Sequence, residues 1–172
     1  RRRVAELMRN NGYYRFQKEH ITYVADTAHH SDKVRLTMNI AGFTPAANVE
    51  PVNHTAYRIG KIYYVANAGL HLDDALLEQC DTIEHDDFSI LYNESQVVRT
   101  KILLENTYIT PGELYSQENV DKTYNSFSQL SALKYTTVRM QERPDTALLD
   151  CYIMYEKSKR CTVGFDLDGT NT

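Results

Sequence analysis

The sequence predicts an α+β fold made of small repeated modules, because one order of elements occurs twice. In the C-terminal copy, a helix predicted over 117–133 precedes strands over 135–141 and 148–156. A similar helix-strand-strand order occupies 4–40, and a stretch rich in Pro, Gly and Asn over 41–55 separates the two copies. A repeated unit of this kind indicates an array of modules rather than one enzyme domain.

Composition is that of an ordinary globular protein and excludes several classes of function. The 172 residues are 42% hydrophobic and 24% charged, with a formal net charge of −4. A net negative chain lacks the broad basic surface that nucleic acid requires, so we expect no nucleic-acid partner. Three cysteines without a Cys-x-x-Cys pair argue against a zinc site, and no Gly-rich phosphate loop is present. We therefore expect no metal, no cofactor and no catalytic residues.

In the N-terminal copy, a helix is predicted over 4–11. It is followed by a strand that starts at Gly12-Tyr13-Tyr14 and runs to Val24, and by a second strand over 34–40. Apolar and polar residues alternate strictly in the second strand, which is the pattern of a strand with one buried face. The residues expected on that buried face are Val34, Leu36, Met38 and Ile40.

The second module is predicted to begin with a strand over 57–65, in which Gly60 marks a bulge. An insertion follows over 67–92, with a helical turn around 72–79 and a short extra strand over 88–92.

Two helices complete the predicted second module. Ser95 is expected to cap a helix over 96–105, Pro111-Gly112 forms a turn, and Ser116 caps the next helix. The order β-α-α-β-β then places both helices on one face of a three-stranded sheet. The apolar stripe of the last helix comprises Val120, Tyr124, Phe127, Leu130 and Leu133, and it is expected to face Leu149, Cys151, Ile153 and Tyr155 of the last strand.

These elements and several local segments resemble POTRA domains, the periplasmic modules of outer-membrane protein assembly factors in the BamA/TamA superfamily. The matching segments of the second module are Ile59-Gly60-Lys61-Ile62, Pro111-Gly112-Glu113-Leu114-Tyr115-Ser116, Leu130-Ser131-Ala132-Leu133-Lys134-Tyr135 and Leu149-Asp150-Cys151-Tyr152-Ile153. In the first module, the segment Leu7-Met8-Arg9-Asn10-Asn11-Gly12-Tyr13-Tyr14 resembles the corner between helix and strand.

The resemblance implies tandem POTRA-like modules and a role without catalysis. Residues 1–43 would be a partial domain that lacks its first strand and first helix, 44–55 a linker, and 56–158 a complete domain with the insertion 67–92. Residues 159–172 would begin the segment that leads to a membrane β-barrel. The protein would then lie at the periplasmic face of the outer membrane of a Gram-negative bacterium. Its partners would be unfolded outer-membrane polypeptides and accessory envelope proteins.

The resemblance also implies a binding mode, β-augmentation, in which a client chain adds a strand to an exposed sheet edge. The strand after the last helix would supply this edge in the second module, and the strand after the first helix would supply it in the partial one. The client-binding residues expected in the second module are Tyr135, Thr136, Thr137, Val138, Arg139, Met140 and Gln141. Those expected in the partial module are Tyr14, Phe16, Ile21 and Tyr23.

Two alternative functions remain open. The segment 163–170 resembles the first motif of haloacid-dehalogenase-type phosphatases, in which Asp166 would be the nucleophile and Asp168 the general acid beside Mg²⁺. A strand end with an Asp-Gly turn explains the same residues, because only four residues follow Asp168. The other alternative is a periplasmic interaction domain that docks folded partners.

Clusters of His and Asp and the cysteines are the remaining candidates for a site. The clusters comprise Asp26, His29, His30 and Asp32, then His71, Asp73 and Asp74, and finally His85, Asp86 and Asp87. They are interpreted as solvated loops rather than metal sites, since no helical His-x-x-x-His spacing is present. A bridge between Cys80 and Cys161 is one way to pair the cysteines, and Cys151 is expected to be a small core residue.

Overall fold

The computed structural model describes residues 1–26, 34–44, 50–67, 80–93 and 98–158. Within these ranges the α-helices are Arg2–Asn10 (α1), Thr100–Glu105 (α2) and Gln117–Ser128 (α3), and a 3₁₀ helix spans Lys18–His20. The strands are Ile21–Asp26 (β1), Arg35–Ile40 (β2), Arg58–Ala66 (β3), Asp81–Glu84 (β4), Phe88–Tyr92 (β5), Leu133–Glu142 (β6) and Leu148–Lys157 (β7).

The C-terminal unit contains a five-stranded mixed sheet in the order β4-β5-β3-β7-β6. Strand β3 runs parallel to β5 and β7, whereas β4 and β6 run antiparallel to their neighbours. The predicted α+β class is confirmed, and the three predicted strands form the adjacent set β3-β7-β6. The short extra strand over 88–92 is also confirmed, as β5. Together with β4 it extends the three-stranded sheet by two strands.

Helices α2 and α3 both pack on one face of this sheet, as predicted. Leu103 of α2 and Phe127 of α3 are fully buried in the same apolar cluster. The strand residues of that cluster are Ile59, Ile62, Tyr64 and Ala66 of β3, Ile90 of β5, and Leu149, Cys151, Ile153 and Tyr155 of β7. The alternating apolar residues of β7 therefore face the helices, and this burial is the largest source of stability for the unit.

Helix α3 begins where the sequence predicts but ends at Ser128 instead of Leu133, so Leu130 follows the helix and Leu133 belongs to β6; its buried stripe also differs at Tyr124. The Ser116 hydroxyl accepts a hydrogen bond from the Asn119 N–H at 3.4 Å, as an N-cap should. Thr123 is fully buried, whereas Tyr124 is 47% exposed, so the expectation for Tyr124 was wrong. Thr123 is tolerated inside because its hydroxyl accepts from the Tyr108 N–H and donates to the Asn119 carbonyl.

Gly60 lies at an irregularity in β3, which confirms the predicted bulge. The register between β3 and β7 shifts between Ile59 and Ile62. The Asp150 carboxylate reaches into this gap, where it accepts from the Lys61 N–H at 2.9 Å and from Arg143 at 2.7 Å. A Cβ atom on Gly60 would lie 2.4 Å from Asp150 Oδ1, so the missing side chain is what admits the carboxylate.

The N-terminal unit corrects one prediction about its first strand. Residues 12–20 are not a strand: the chain turns at Gly12, where φ is +96°, and then enters the 3₁₀ helix. The wrong prediction came from aromatic content alone. Phe16 is 1% exposed because it packs with Ala5 and Ile21, so its ring faces this small core and not a sheet edge.

The second correction concerns the hairpin of β1 and β2. The strand over 35–40 is present and pairs with β1, but the apolar face that the alternation predicts to be buried is exposed. The exposed fractions are 62% for Val34, 63% for Leu36, 45% for Met38 and 47% for Ile40. Alternation marks a face that can be buried, and it does not supply the element that would cover that face.

Several predicted features lie outside the described residues. They include Ser95, but its predicted helix over 96–105 begins at Thr100 instead, because Arg99 before it is extended. The others are the helical turn at 72–79, the His and Asp residues at 29–32 and 71–74, Cys161, and the segment carrying Asp166 and Asp168. In the linker, Phe43 and Val52 form an isolated antiparallel bridge.

We predict that Gly60→Ala destabilises the protein by about 1–3 kcal/mol, the usual cost of forcing atoms into an occupied space. The measurement is the free energy of unfolding from urea titration. In an Asp150→Ala background the added methyl has room, so the same substitution should cost clearly less. Equal costs in the two backgrounds would show that the carboxylate is not the reason for the glycine.

Candidate functional site

Strand β6 forms one end of the sheet and pairs only with β7 among the described strands. Its open edge can be assigned residue by residue. The Arg143 N–H donates to the Leu148 carbonyl, so the backbone of Arg143 points toward β7. Because direction alternates along an antiparallel strand, Tyr135, Thr137, Arg139 and Gln141 also point toward β7. The residues whose backbone N–H and C=O groups point away from the sheet are therefore Thr136, Val138, Met140 and Glu142.

The side chains of β6 divide in the same alternating way. Val138 and Met140 pack against the core cluster beneath α3, whereas Tyr135, Arg139 and Gln141 are exposed on the other face. The Lys134 ammonium lies 4.6 Å from the centre of the Tyr135 ring. The outward-facing backbone groups thus belong to residues whose side chains are held in place, which makes the edge a rigid template for another strand.

The opposite edge of the sheet is a poorer template. Strand β4 has four residues, with Asp81 and Glu84 at its ends, and Glu84 pairs with Lys61 at 3.2 Å. Short strands with charged ends are a common way to discourage pairing with other chains. Of the two edges, the ten-residue β6 is therefore the better candidate for strand addition.

The four site residues predicted in the N-terminal unit do not form one edge. Tyr14 and Phe16 precede the 3₁₀ helix and are outside any strand, whereas Ile21 and Tyr23 lie in β1. Ile21 is fully buried and Tyr23 is 37% exposed. Tyr14 instead contacts the second unit, where its ring meets the edges of the Tyr57 and Tyr115 rings at 6.2 and 5.1 Å. The expectation that Tyr14 and Phe16 belong to an edge strand was wrong.

Gly12 connects the two units through its backbone. Its N–H donates to the Tyr115 carbonyl and its carbonyl accepts from the Tyr57 N–H, both at 2.8 Å. A Cβ atom on Gly12 would lie 3.1–3.2 Å from Leu114, Ala56 and the Tyr57 carbonyl. The positive φ and this close approach both favour glycine at this position.

Arg15 forms an ion pair across the same junction, at the last residue of β6. Its guanidinium donates two hydrogen bonds of 2.5 Å to the Glu142 carboxylate, and the Tyr57 hydroxyl donates a third at 3.0 Å. The bond to Glu142 is the main reason that the pKa of Arg15 is raised. Burial, followed by the bond to Glu142, raises the pKa of Tyr57. Glu142 therefore joins the open edge to the N-terminal unit.

Helix α1 contributes a third set of contacts, at the start of α3. The Asn10 side-chain oxygen accepts a hydrogen bond from the Glu118 N–H at 2.9 Å, and Arg9 donates to the Gln117 side chain. One helix thus satisfies an N–H group in the first turn of another, which fixes the position of α1 relative to α3.

The sequence reasoning missed this junction, and only Gly12 had a detectable signal, as a glycine directly after a helix. Arg15 and Glu142 are 127 residues apart, and nothing in a single sequence pairs them.

The described residues hold no group of three or more His, Cys, Asp or Glu side chains arranged to bind a metal. Cys151 is a buried free thiol, and burial raises its pKa to about 12, so it is not a thiolate nucleophile at neutral pH. No helix in the described parts of the chain is long and apolar enough to cross a membrane.

Comparison with known proteins gives a likeness to solved structures alone. No protein-family model matches the chain, and no curated protein matches it. The N-terminal domain of Omp85 from Thermosynechococcus elongatus has a TM-score of 0.36 at 9% identity, over 92% of this chain and 83% of that one. Haemophilus influenzae BamA POTRA3-5 has a TM-score of 0.35 at 13% identity, over 91% and 78%. POTRA1-3 of Omp85 from Anabaena has a TM-score of 0.31 at 10% identity, over 92% and 80%.

We predict that the ion pair between Arg15 and Glu142 couples the two units by about 1 kcal/mol in a double-mutant cycle. The cycle uses Arg15→Ala, Glu142→Ala and the double variant, each measured by urea unfolding. Two parallel hydrogen bonds and partial burial make this pair stronger than a surface pair.

The matched control is the exposed pair Glu118–Lys122 on α3, for which the same cycle should give less than about 0.5 kcal/mol. Equal coupling for the two pairs would mean that the junction pair adds no stability of its own.

Proposed function

We propose that this chain is the periplasmic, POTRA-containing part of an outer-membrane protein assembly or translocation factor of a Gram-negative bacterium. The segments in the second module that resemble POTRA domains support this proposal. So does the arrangement of the three strands predicted for this module: β3 is parallel to β7, and β6 lies at the edge of the sheet. Its role would be that of a scaffold that binds polypeptides and catalyses no reaction.

The open edge of β6 is the observation that carries the proposed mechanism. Unfolded outer-membrane polypeptides would add a strand beside β6 and bond to the outward backbone groups of Thr136, Val138, Met140 and Glu142. Backbone pairing depends little on client sequence, which suits a scaffold with many clients. The client loses conformational entropy when it is ordered, so the affinity should be low and the complex short-lived.

We also propose that residues 1–43 are part of a larger module. In the second unit the hairpin of β6 and β7 is covered by α2 and α3 and is extended by β3. Among the described residues of the first unit, Ala5 of α1 and Phe16 pack against Ile21 of β1, and the apolar face of β2 is exposed. In the whole protein, a further helix would cover this face and a strand paired with β2 would extend the hairpin, both preceding Arg1 in sequence.

For the edge, we predict that Val138→Pro abolishes client binding while the fold persists. Proline removes an N–H that points away from β7, so the bonds within the sheet remain, whereas an added strand loses a partner. Binding of a fluorescent unfolded outer-membrane peptide would be followed by anisotropy, and the fold by circular dichroism.

The matched control is Val138→Ala, which loses similar packing but keeps the N–H and should still bind. Client binding that survives in the folded Val138→Pro variant would refute the assignment of β6. If that variant loses binding of the unfolded peptide but still binds folded envelope proteins, the edge of β6 binds unfolded clients and a different surface binds folded partners.

For the hairpin, we predict that a cysteine at position 38 is protected in the longer natural protein and reactive in the 172-residue chain. Met38→Cys probes the apolar face, and Thr37→Cys probes the opposite face as the matched control. Alkylation would be quantified by mass spectrometry of the peptide. Equal reactivity of the Met38→Cys thiol in both proteins would contradict the proposed cover.

A further inference from the structure

Two histidines meet in the segment between the two units. The His20 and His54 rings lie 4.7 Å apart, and the Phe16 ring lies 5.6 Å from His20 and 4.8 Å from His54. The centres of the Phe43 and His20 rings lie 6.4 Å apart. These four rings, called the histidine cluster below, join the 3₁₀ helix, the linker and the small core of the N-terminal unit.

A chain of hydrogen bonds holds the histidine cluster closed. The Ala41 N–H donates to the His20 carbonyl at 2.8 Å, and His54 Nε2 is bonded to the Ala41 carbonyl at 2.9 Å. The Gln17 N–H donates to His20 Nδ1 at 3.1 Å. Since a protonated Nδ1 cannot accept that bond, the closed arrangement requires neutral His20. His54 must carry its proton on Nε2, because a carbonyl accepts and does not donate.

We propose that the histidine cluster is a pH-sensitive clasp, which holds the linker against the N-terminal unit at neutral pH and releases it under mild acid. Protonation of His20 removes the bond from Gln17. It also places a positive charge on a partly buried ring that lies 4.7 Å from the His54 ring. The clasp acts on the linker and does not depend on whether β6 binds clients.

The charged groups around the histidine cluster occur as pairs of opposite sign. Arg15, whose guanidinium lies 4.7 Å from the centre of the Phe43 ring, is paired with the Glu142 carboxylate. Lys18 and Glu19 precede His20 in the 3₁₀ helix, and their ammonium and carboxylate lie 3.8 Å apart. On the linker side, Asn53 and Thr55 flank His54 and carry no charge. Glu19 and the Glu142 carboxylate paired with Arg15 are thus the anions among these described neighbours, so the pH response depends on His20 itself, through its burial and its bond from the Gln17 N–H.

The sign of the pH dependence follows from His20. Burial, then the neighbouring His54, lowers the pKa of His20 below its ordinary value of 6.5, and Glu19 opposes this effect only in part. The open form therefore binds protons more readily than the closed form. The closed form is fully favoured above pH 6.5 and loses stability as the pH falls through that value toward the lower pKa of the closed form.

Hydrogen exchange at the Ala41 amide tests the clasp, because that N–H donates to the His20 carbonyl as the terminal rung of the β1–β2 ladder, and the rung should fray more readily once His54 no longer holds the Ala41 carbonyl. The protection factor of Ala41, corrected for intrinsic exchange, should fall severalfold from about pH 7.5 to about pH 5. In His20→Gln, which keeps a side-chain acceptor for the Gln17 N–H, protection should no longer change across this range. NMR titration of His54→Gln should show the pKa of His20 moving up toward its ordinary value.

His85→Gln is the matched control, since His85 stacks on Phe88 in the second unit and should leave the change at Ala41 intact. Constant protection of Ala41 from neutral to acidic pH would overturn the proposal. A decline that persists unchanged in His20→Gln would also overturn it, because the decline would then have another origin.

Discussion

Strand β7 uses both of its sides for backbone hydrogen bonds, and this constraint fixes where the sheet remains open. Leu149, Cys151, Ile153 and Tyr155 direct their backbone groups toward β3, and the intervening residues direct theirs toward β6. The same alternation places all four of those side chains beneath α2 and α3, where they are almost fully buried. Because burial and pairing both hold β7 in the middle, β6 has a partner on one side only. The open edge thus follows from how the core is assembled.

An open edge of ten residues can bind a client strand, but it can also cause aggregation, since it can pair with any extended chain. Features of β6 moderate that risk. Lys134 and Arg139 place positive charges along the strand, and Glu142 at its end is already paired with Arg15. The register also shifts between Leu133 and Tyr135, which makes the start of the strand irregular. The best-formed part of the edge is therefore the segment between Thr136 and Met140. A short template of this kind is suited to transient pairing rather than to aggregation.

The sequence predicted most of the second unit because its signals are local. Pro111-Gly112 marks a turn through the positive φ that glycine allows, Ser116 caps α3, and Gly60 marks the bulge of β3. Alternation in β7 identified its buried face correctly. The same reasoning failed in β2, where equally regular alternation belongs to a face that is exposed. Periodicity reports which side chains share a face, whereas burial depends on a second element that periodicity does not contain.

The junction was beyond prediction because its partners are distant in sequence and its bonds involve the backbone. Glu142 belongs at once to the edge strand and to the contacts with Arg15 and Tyr57. A strand added beside β6 would run along it from Leu133 and meet Arg15 at the other end, so the N-terminal unit limits how far a client strand can extend. If the proposed binding mode holds, the Glu142 carboxylate therefore links two quantities: the position of the N-terminal unit, which Arg15 fixes, and the length of β6 that is available to a client. Replacing Arg15 would then do two separable things: it would loosen the junction, and it would remove the side chain that a client strand meets at Glu142.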